Sequence, residues 1–200
     1  QLPDALTISL LIILLTAIAA WGVKLSVTVA ITTTLLELLG LAFVIYAGAD
    51  KLPALFSNPD SPLIPTNLSA WQGVGAGAFL AFYAFIGFED MVNMAEEVKQ
   101  PEKNMPRGIL MALVTACLLY FIVTLCALAA APLQDLAASK APLVLVVEQN
   151  TAIPIALMTS ISIVAVVNGA LLQIIMASRV LYGMAKKGMA PGFLAAVHPR

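Results

Sequence analysis

Apolar residues in this chain fall into runs of about 20, the length that carries an α-helix across the hydrocarbon core of a bilayer. Five runs meet that length, at residues 5–21, 27–47, 73–94, 109–131 and 153–177. The stretches between them are polar or rich in turn formers: a short turn at 22–26, a Pro-rich loop at 50–72, a charged loop at 96–107, a longer loop at 132–150 and a tail at 178–200. Stop and start signals sit at the edges. Asp4 is placed to cap the first helix, Pro106 stands where the fourth begins, and Gly188, Pro191 and Gly192 follow the last. The pattern predicts an all-α integral membrane protein, with residues 1–200 forming one transmembrane domain of five helices.

Charge orients these helices. Consecutive loops alternate between the two sides, which places Lys24, Lys99, Lys103, Arg107, Arg179, Lys186, Lys187 and Arg200 on one side and leaves Lys51 and Lys140 on the other. Positive charge concentrates on the cytoplasmic side of membrane proteins. The amino end of the chain is therefore expected outside and the carboxyl end in the cytoplasm, and a bacterial inner membrane is the expected setting. The turn at 22–26 is too short to cross a third helix, so the first two helices are expected to lie antiparallel as neighbours.

Composition supports the bilayer as solvent. Of the 200 residues, 61% are hydrophobic and 10% charged, against about 25% charged in soluble domains, and the mean hydropathy is +0.98. Cys117 and Cys126, nine residues apart on one helix, stand about 13 Å apart along its axis and cannot bridge each other. No Cys/His cluster with metal spacing accompanies them, so neither metal nor cofactor is expected. The opening Gln1-Leu2-Pro3-Asp4 carries no basic or small-residue signal pattern and reads as a cut within a longer protein. The single histidine, His198, falls in the tail and reads as a surface residue.

The third run holds most of the chemistry. Gly87 is followed by Glu89 and Asp90 at membrane depth, where a charged carboxylate costs at least about 2.5 kcal/mol, so the pair is expected to face protein, water or a cavity. A glycine beside carboxyls is also a place for a helix to break, and a break exposes backbone groups suited to small ions and amines. The plainer reading is a glycine kink with acids packed against neighbouring helices.

Two long segments here resemble a known family. Phe85-Ile86-Gly87-Phe88-Glu89, followed by Glu96-Glu97-Val98-Lys99-Gln100-Pro101-Glu102-Lys103-Asn104-Met105-Pro106-Arg107, is similar to the sixth helix and following loop of the amino acid/polyamine/organocation permease superfamily. Ser178-Arg179-Val180-Leu181-Tyr182-Gly183-Met184-Ala185, with Gly188 and Pro191, is similar to the end of helix eight. The resemblance implies helices four to eight of a five-plus-five inverted-repeat fold of the leucine-transporter type, with the third span of this chain broken near Gly87. It also implies secondary active transport of amino acids or related amines by alternating access, coupled to protons or run as exchange, and the remaining helices of the same transporter as partners.

The same resemblance assigns residues. The backbone carbonyls of Ala84, Phe85 and Ile86 would receive the substrate ammonium, Gly87 would permit the break, and Tyr83 would close over the substrate. Glu89 would bind a proton or act as a gate. Asp90, about 100° further round a helix, points elsewhere and could cap the half-helix starting there. Glu37 departs from the family, several members of which carry lysine at that position. It reads either as a second proton-coupling or gating group or as a neutral acid hydrogen-bonded to Thr33 one turn earlier. Asn168, Gly169 and Gln173 are polar or small at depth and could line the cavity, although Asn and Gln also bridge helices.

Other function classes find less support. The catalytic motifs of zinc peptidases and serine hydrolases and the glycine loops that cradle phosphates are absent, so an enzyme is not expected. Nothing points to nucleic acid. A channel or receptor-like bundle that binds a small ligand without carrier-type transport would use the same intramembrane acids and is the alternative.

Overall fold

The computed structural model describes the chain except for residues 1–3, 21–22, 59–62, 84, 88–90, 93–94, 96–97 and 197–200; the side chains of residues 4, 20 and 23–27 also lie outside the description. Ala84, Glu89, Asp90 and His198 belong to that group. Among the described residues the fold is helical, with no β-strand.

Among the described residues, eight α-helices follow in chain order: α1 Asp4–Ala20, α2 Val23–Gly48, α3 Leu52–Ser57, α4 Leu68–Tyr83, α5 Pro101–Ala130, α6 Leu133–Ala138, α7 Pro142–Asn150 and α8 Ile155–Lys186. Three helical segments among the described residues are long and apolar enough to cross a membrane: Thr28–Ser57, in which a 3-10 turn at Ala49–Lys51 joins α2 to α3, then α5 and α8. Ala5–Ala19 is apolar but shorter. No residue of α4 is buried, and large apolar side chains such as Leu35, Phe79 and Leu118 are more than half exposed. Such faces belong in lipid or against further helices rather than in water.

Helix ends differ from the hydropathy edges for local reasons. α5 starts at Pro101, well before the apolar run, because proline suits the first helical position and the polar residues after it are helix-compatible. Gln100 before it adopts a left-handed conformation (φ 50°), and its carbonyl accepts the Lys103 and Asn104 N–H groups at 3.0 Å each. Pro106 therefore lies inside the helix. At the other end of the chain, α8 continues through Arg179 to Lys186 and stops where Gly188 takes φ +73°. The Gly188 N–H donates to Ala185 O at 3.0 Å and the Met189 N–H to Met184 O at 2.9 Å, a Schellman stop.

The chain divides into two compact units, Leu41–Met158 and Gln1–Gly40 with Thr159–Arg200. In the first, Val44 and Ala47 of α2, Val123 and Ala127 of α5, Val146 and Val147 of α7 and Met158 of α8 form one buried cluster. Gly48 permits it: a Cβ there would fall 2.7 Å from the carbonyl carbon of Cys126 and 2.8 Å from its Cα, inside backbone contact. Asn150 fastens the same unit, donating to Ala130 O at 3.1 Å and Val146 O at 2.7 Å while accepting from Lys51. In the second unit, Leu15 of α1 packs with Leu171 and Ile175 of α8, and Gly40 of α2 lies against Ile161 of α8, where a Cβ would meet its Cγ2 at 2.8 Å.

Candidate functional site

Two places hold the candidate residues expected from the sequence, one in each unit. The first is the end of α4. Regular helix stops at Tyr83; beyond it the Phe85 N–H donates to Phe82 O at 3.0 Å and the Ile86 N–H to Tyr83 O at 3.3 Å, so bonds to the third preceding residue replace the helical ladder. Gly87 then takes φ +114°, a backbone conformation that side chains of L residues rarely adopt. The next α-helix among the described residues begins at Pro101. The apolar run at 73–94 is thus not one continuous helix.

Aromatic rings frame this break. Tyr83, 58% exposed, meets Phe79 edge-to-face at 5.7 Å and Phe82 at 6.3 Å, so its ring is set by two neighbours on its own helix. Phe85 packs edge-to-face on Tyr120 of α5 at 5.5 Å, which ties the start of the break to the following span. Tyr120 was not singled out in the sequence, where its signal is a phenol beside Phe121 in a largely aliphatic run. Ile86 is exposed.

The second place joins α2 to α8. Asn168 is 3% exposed. Its Nδ2 donates to Glu37 Oε1 at 2.7 Å and approaches Thr34 Oγ1 at 3.5 Å, and its Oδ1 is buried with no hydrogen-bond partner among the described residues. The expected Thr33–Glu37 bond is replaced by this one. The Thr33 hydroxyl turns to the Val29 and Ala30 carbonyls of its own helix, each at 2.9 Å, as helical threonines commonly do, which leaves the Glu37 carboxyl to a donor 131 residues away. Asn168 bridges helices here. Gln173, five residues on, is exposed, and so is Gly169, beside which a Cβ would meet nothing within 4 Å.

A helical fold with three helical segments long and apolar enough to cross a membrane among the described residues defines a multi-pass membrane protein. The chain belongs to the amino acid permease family, which matches residues 2–200. It is similar to the vacuolar cationic amino acid transporter 4 of Arabidopsis thaliana, 28% identical over 96% of this chain and 32% of the relative. It is also similar to the methylthioribose transporter of Bacillus subtilis, 30% identical over 96% of this chain and 40% of the relative, and to the branched-chain amino acid permease BcaP of Lactococcus lactis, 29% identical over 96% and 42%. The chain thus spans about a third to two-fifths of the length of these curated relatives. No solved structure matches it.

Proposed function

We propose that this chain forms part of a secondary carrier, not an enzyme, that moves amino acids or related amines across a membrane by alternating access, coupled to protons or as exchange. The observation that carries the reading is the end of regular helix at Tyr83, with Gly87 at φ +114°, inside a chain whose whole length matches the permease family. A helix interrupted at membrane depth turns backbone carbonyls away from their own ladder and toward a cationic group.

In this reading the carbonyls of Ala84, Phe85 and Ile86 receive the substrate ammonium, Gly87 holds the break open and Tyr83 covers the bound solute. Glu89 and Glu37 bind protons or gate. On α8, Asn168 is engaged by Glu37, which leaves exposed Gln173 as the polar side chain of that helix more open to a solute. The missing helices of a five-plus-five inverted repeat complete the site. The concentration of Lys and Arg in alternate loops supports an amino end outside and a carboxyl end in the cytoplasm of a bacterial cell membrane.

Counterflow into liposomes containing the complete protein tests the proposal. Preloading with a branched-chain or a cationic amino acid is expected to drive accumulation of the same labelled compound. Absence of counterflow for every amino acid and amine tried, or conductance at channel rates, would replace the carrier with a ligand-binding bundle or a pore; accumulation of methylthioribose alone would change the substrate class.

A further inference from the structure

The contact between Glu37 and Asn168 has a chemical asymmetry. An asparagine amide offers a donor on one side and an acceptor on the other, and its terminal torsion is broad and roughly two-fold. The donor side now faces Glu37 Oε1 at 2.7 Å, an arrangement suited to an ionised carboxylate, which only accepts. The acceptor side, Oδ1, is buried without a donor among the described residues. A buried polar group left unpaired is costly, and either orientation of the amide leaves one, Oδ1 now or Nδ2 after rotation, so the far side of the amide does not fix which way it faces Glu37.

The surroundings leave this amide as the principal partner of the acid. From Ala5 to Ala19 in α1 and from Ile155 to Ser178 in α8 the sequence contains no Asp, Glu, Lys, Arg or His; in α2 the other ionisable residues are Lys24, more than three turns before Glu37, and Tyr46, two and a half turns after it. Thr34 completes the cluster, with its Oγ1 at 3.5 Å from Asn168 Nδ2; a hydroxyl both donates and accepts. Close packing of the two helices continues nearby, where Gly40, one turn after Glu37, lies against Ile161, two turns before Asn168.

We propose that Asn168 is a positioning residue for a proton on Glu37, its amide turning by half a revolution when the carboxyl gains or loses that proton. With Glu37 ionised, Nδ2–H donates to Oε1. When a proton from solution binds Oε1, the new O–H donates to Asn168 Oδ1 in the rotated amide, and Thr34 changes from acceptor to donor. One O–H bond forms on Glu37 as one O–H bond of a hydronium ion in solution breaks, and no bond of the protein is broken; deprotonation returns the proton to water and reverses the rotation. The protonation state of α2 is thereby registered on α8. For its consequence in transport the proposal rests on the carrier reading, whereas the proton-linked rotation does not require it.

Infrared spectra of the complete purified protein, recorded as differences between pH values, test the two parts separately. A carboxyl band that disappears in Glu37→Gln is expected to titrate together with a side-chain amide band that disappears in Asn168→Leu. In Asn168→Asp, close in volume to the native residue, a second carboxyl couples to the first and the midpoint is expected to move by about one pH unit or more. The pH profile of uptake in liposomes is expected to move by the same amount. A Glu37 band with unchanged frequency and midpoint in both Asn168 variants would overturn the proposal, as would the lack of any Glu37 band across the folded pH range. If the native protein shows no uptake, the carrier reading falls and the infrared result still decides the role of Asn168.

Discussion

Gly87→Ala isolates the backbone of the break from its packing. Gly87 sits at φ +114°, and a Cβ built on it meets no heavy atom of the described residues within 4 Å, so the substitution acts through the dihedral rather than through a clash with them. A residue with a Cβ held in such a sparsely populated region costs on the order of 1–3 kcal/mol. If the carrier must hold this conformation to bind solute, that cost lowers the population of the competent state by about 5- to 150-fold. Initial rates of amino acid counterflow at a substrate concentration well below KM should fall by that factor, with the variant still inserted and monodisperse in detergent. Gly75→Ala is the matched control: it lies inside α4, and a Cβ there also meets nothing within 4 Å, so it should leave transport near the native rate. Native transport by Gly87→Ala would refute the claim that a left-handed glycine sustains the break.

Three further predictions concern packing and the site. Gly48→Ala drives a Cβ into the Cys126 backbone and should destabilise the protein by about 1–3 kcal/mol, seen as a lower Tm in detergent; an unchanged Tm would show that α2 and α5 do not approach so closely. Asn150→Leu removes the donors to Ala130 O and Val146 O and the acceptor for Lys51, at about 1 kcal/mol for each bond lost. Its Tm should fall, and Lys51→Met in the Asn150→Leu background should add little further, because the two side chains act as a pair. Tyr83→Ala should raise KM about two- to five-fold if the exposed ring meets a cationic substrate, and identical kinetics in the variant would remove Tyr83 from the site.

The parts of the fold set by hydropathy were legible in the sequence, and the parts set by backbone chemistry or distant partners were less so. α2, α5 and α8 carry long apolar stretches and stood out for that reason. Hydropathy, however, marks where apolar side chains end rather than where a helix ends. The polar turns at the start of α5 and at the end of α8 therefore read as loop, although Pro101 and Gly188 are the local signals that start and stop those helices. The short helices α3, α6 and α7 are six to nine residues long and fall within the windows read as the loops 50–72 and 132–150. Near the candidate site, Gly87 stood out in the sequence because glycine is the residue that tolerates a positive φ, and it takes φ +114°. The partner of Glu37 was not visible: sequence proximity offers Thr33, whereas the side chain finds Asn168, and only the packing of α2 on α8 brings residues 131 positions apart to 2.7 Å.

Amide hydrogen exchange across residues 80–92 of the complete protein in lipid nanodiscs, with and without a transported amino acid, addresses the broken span most directly. The account predicts that amides beyond Tyr83 exchange far faster than those in the middle of α5 and become protected when substrate binds. Protection in the substrate-free protein equal to that of α5, unaltered by substrate, would mean that this stretch is ordinary membrane helix and that no solute is held by its backbone.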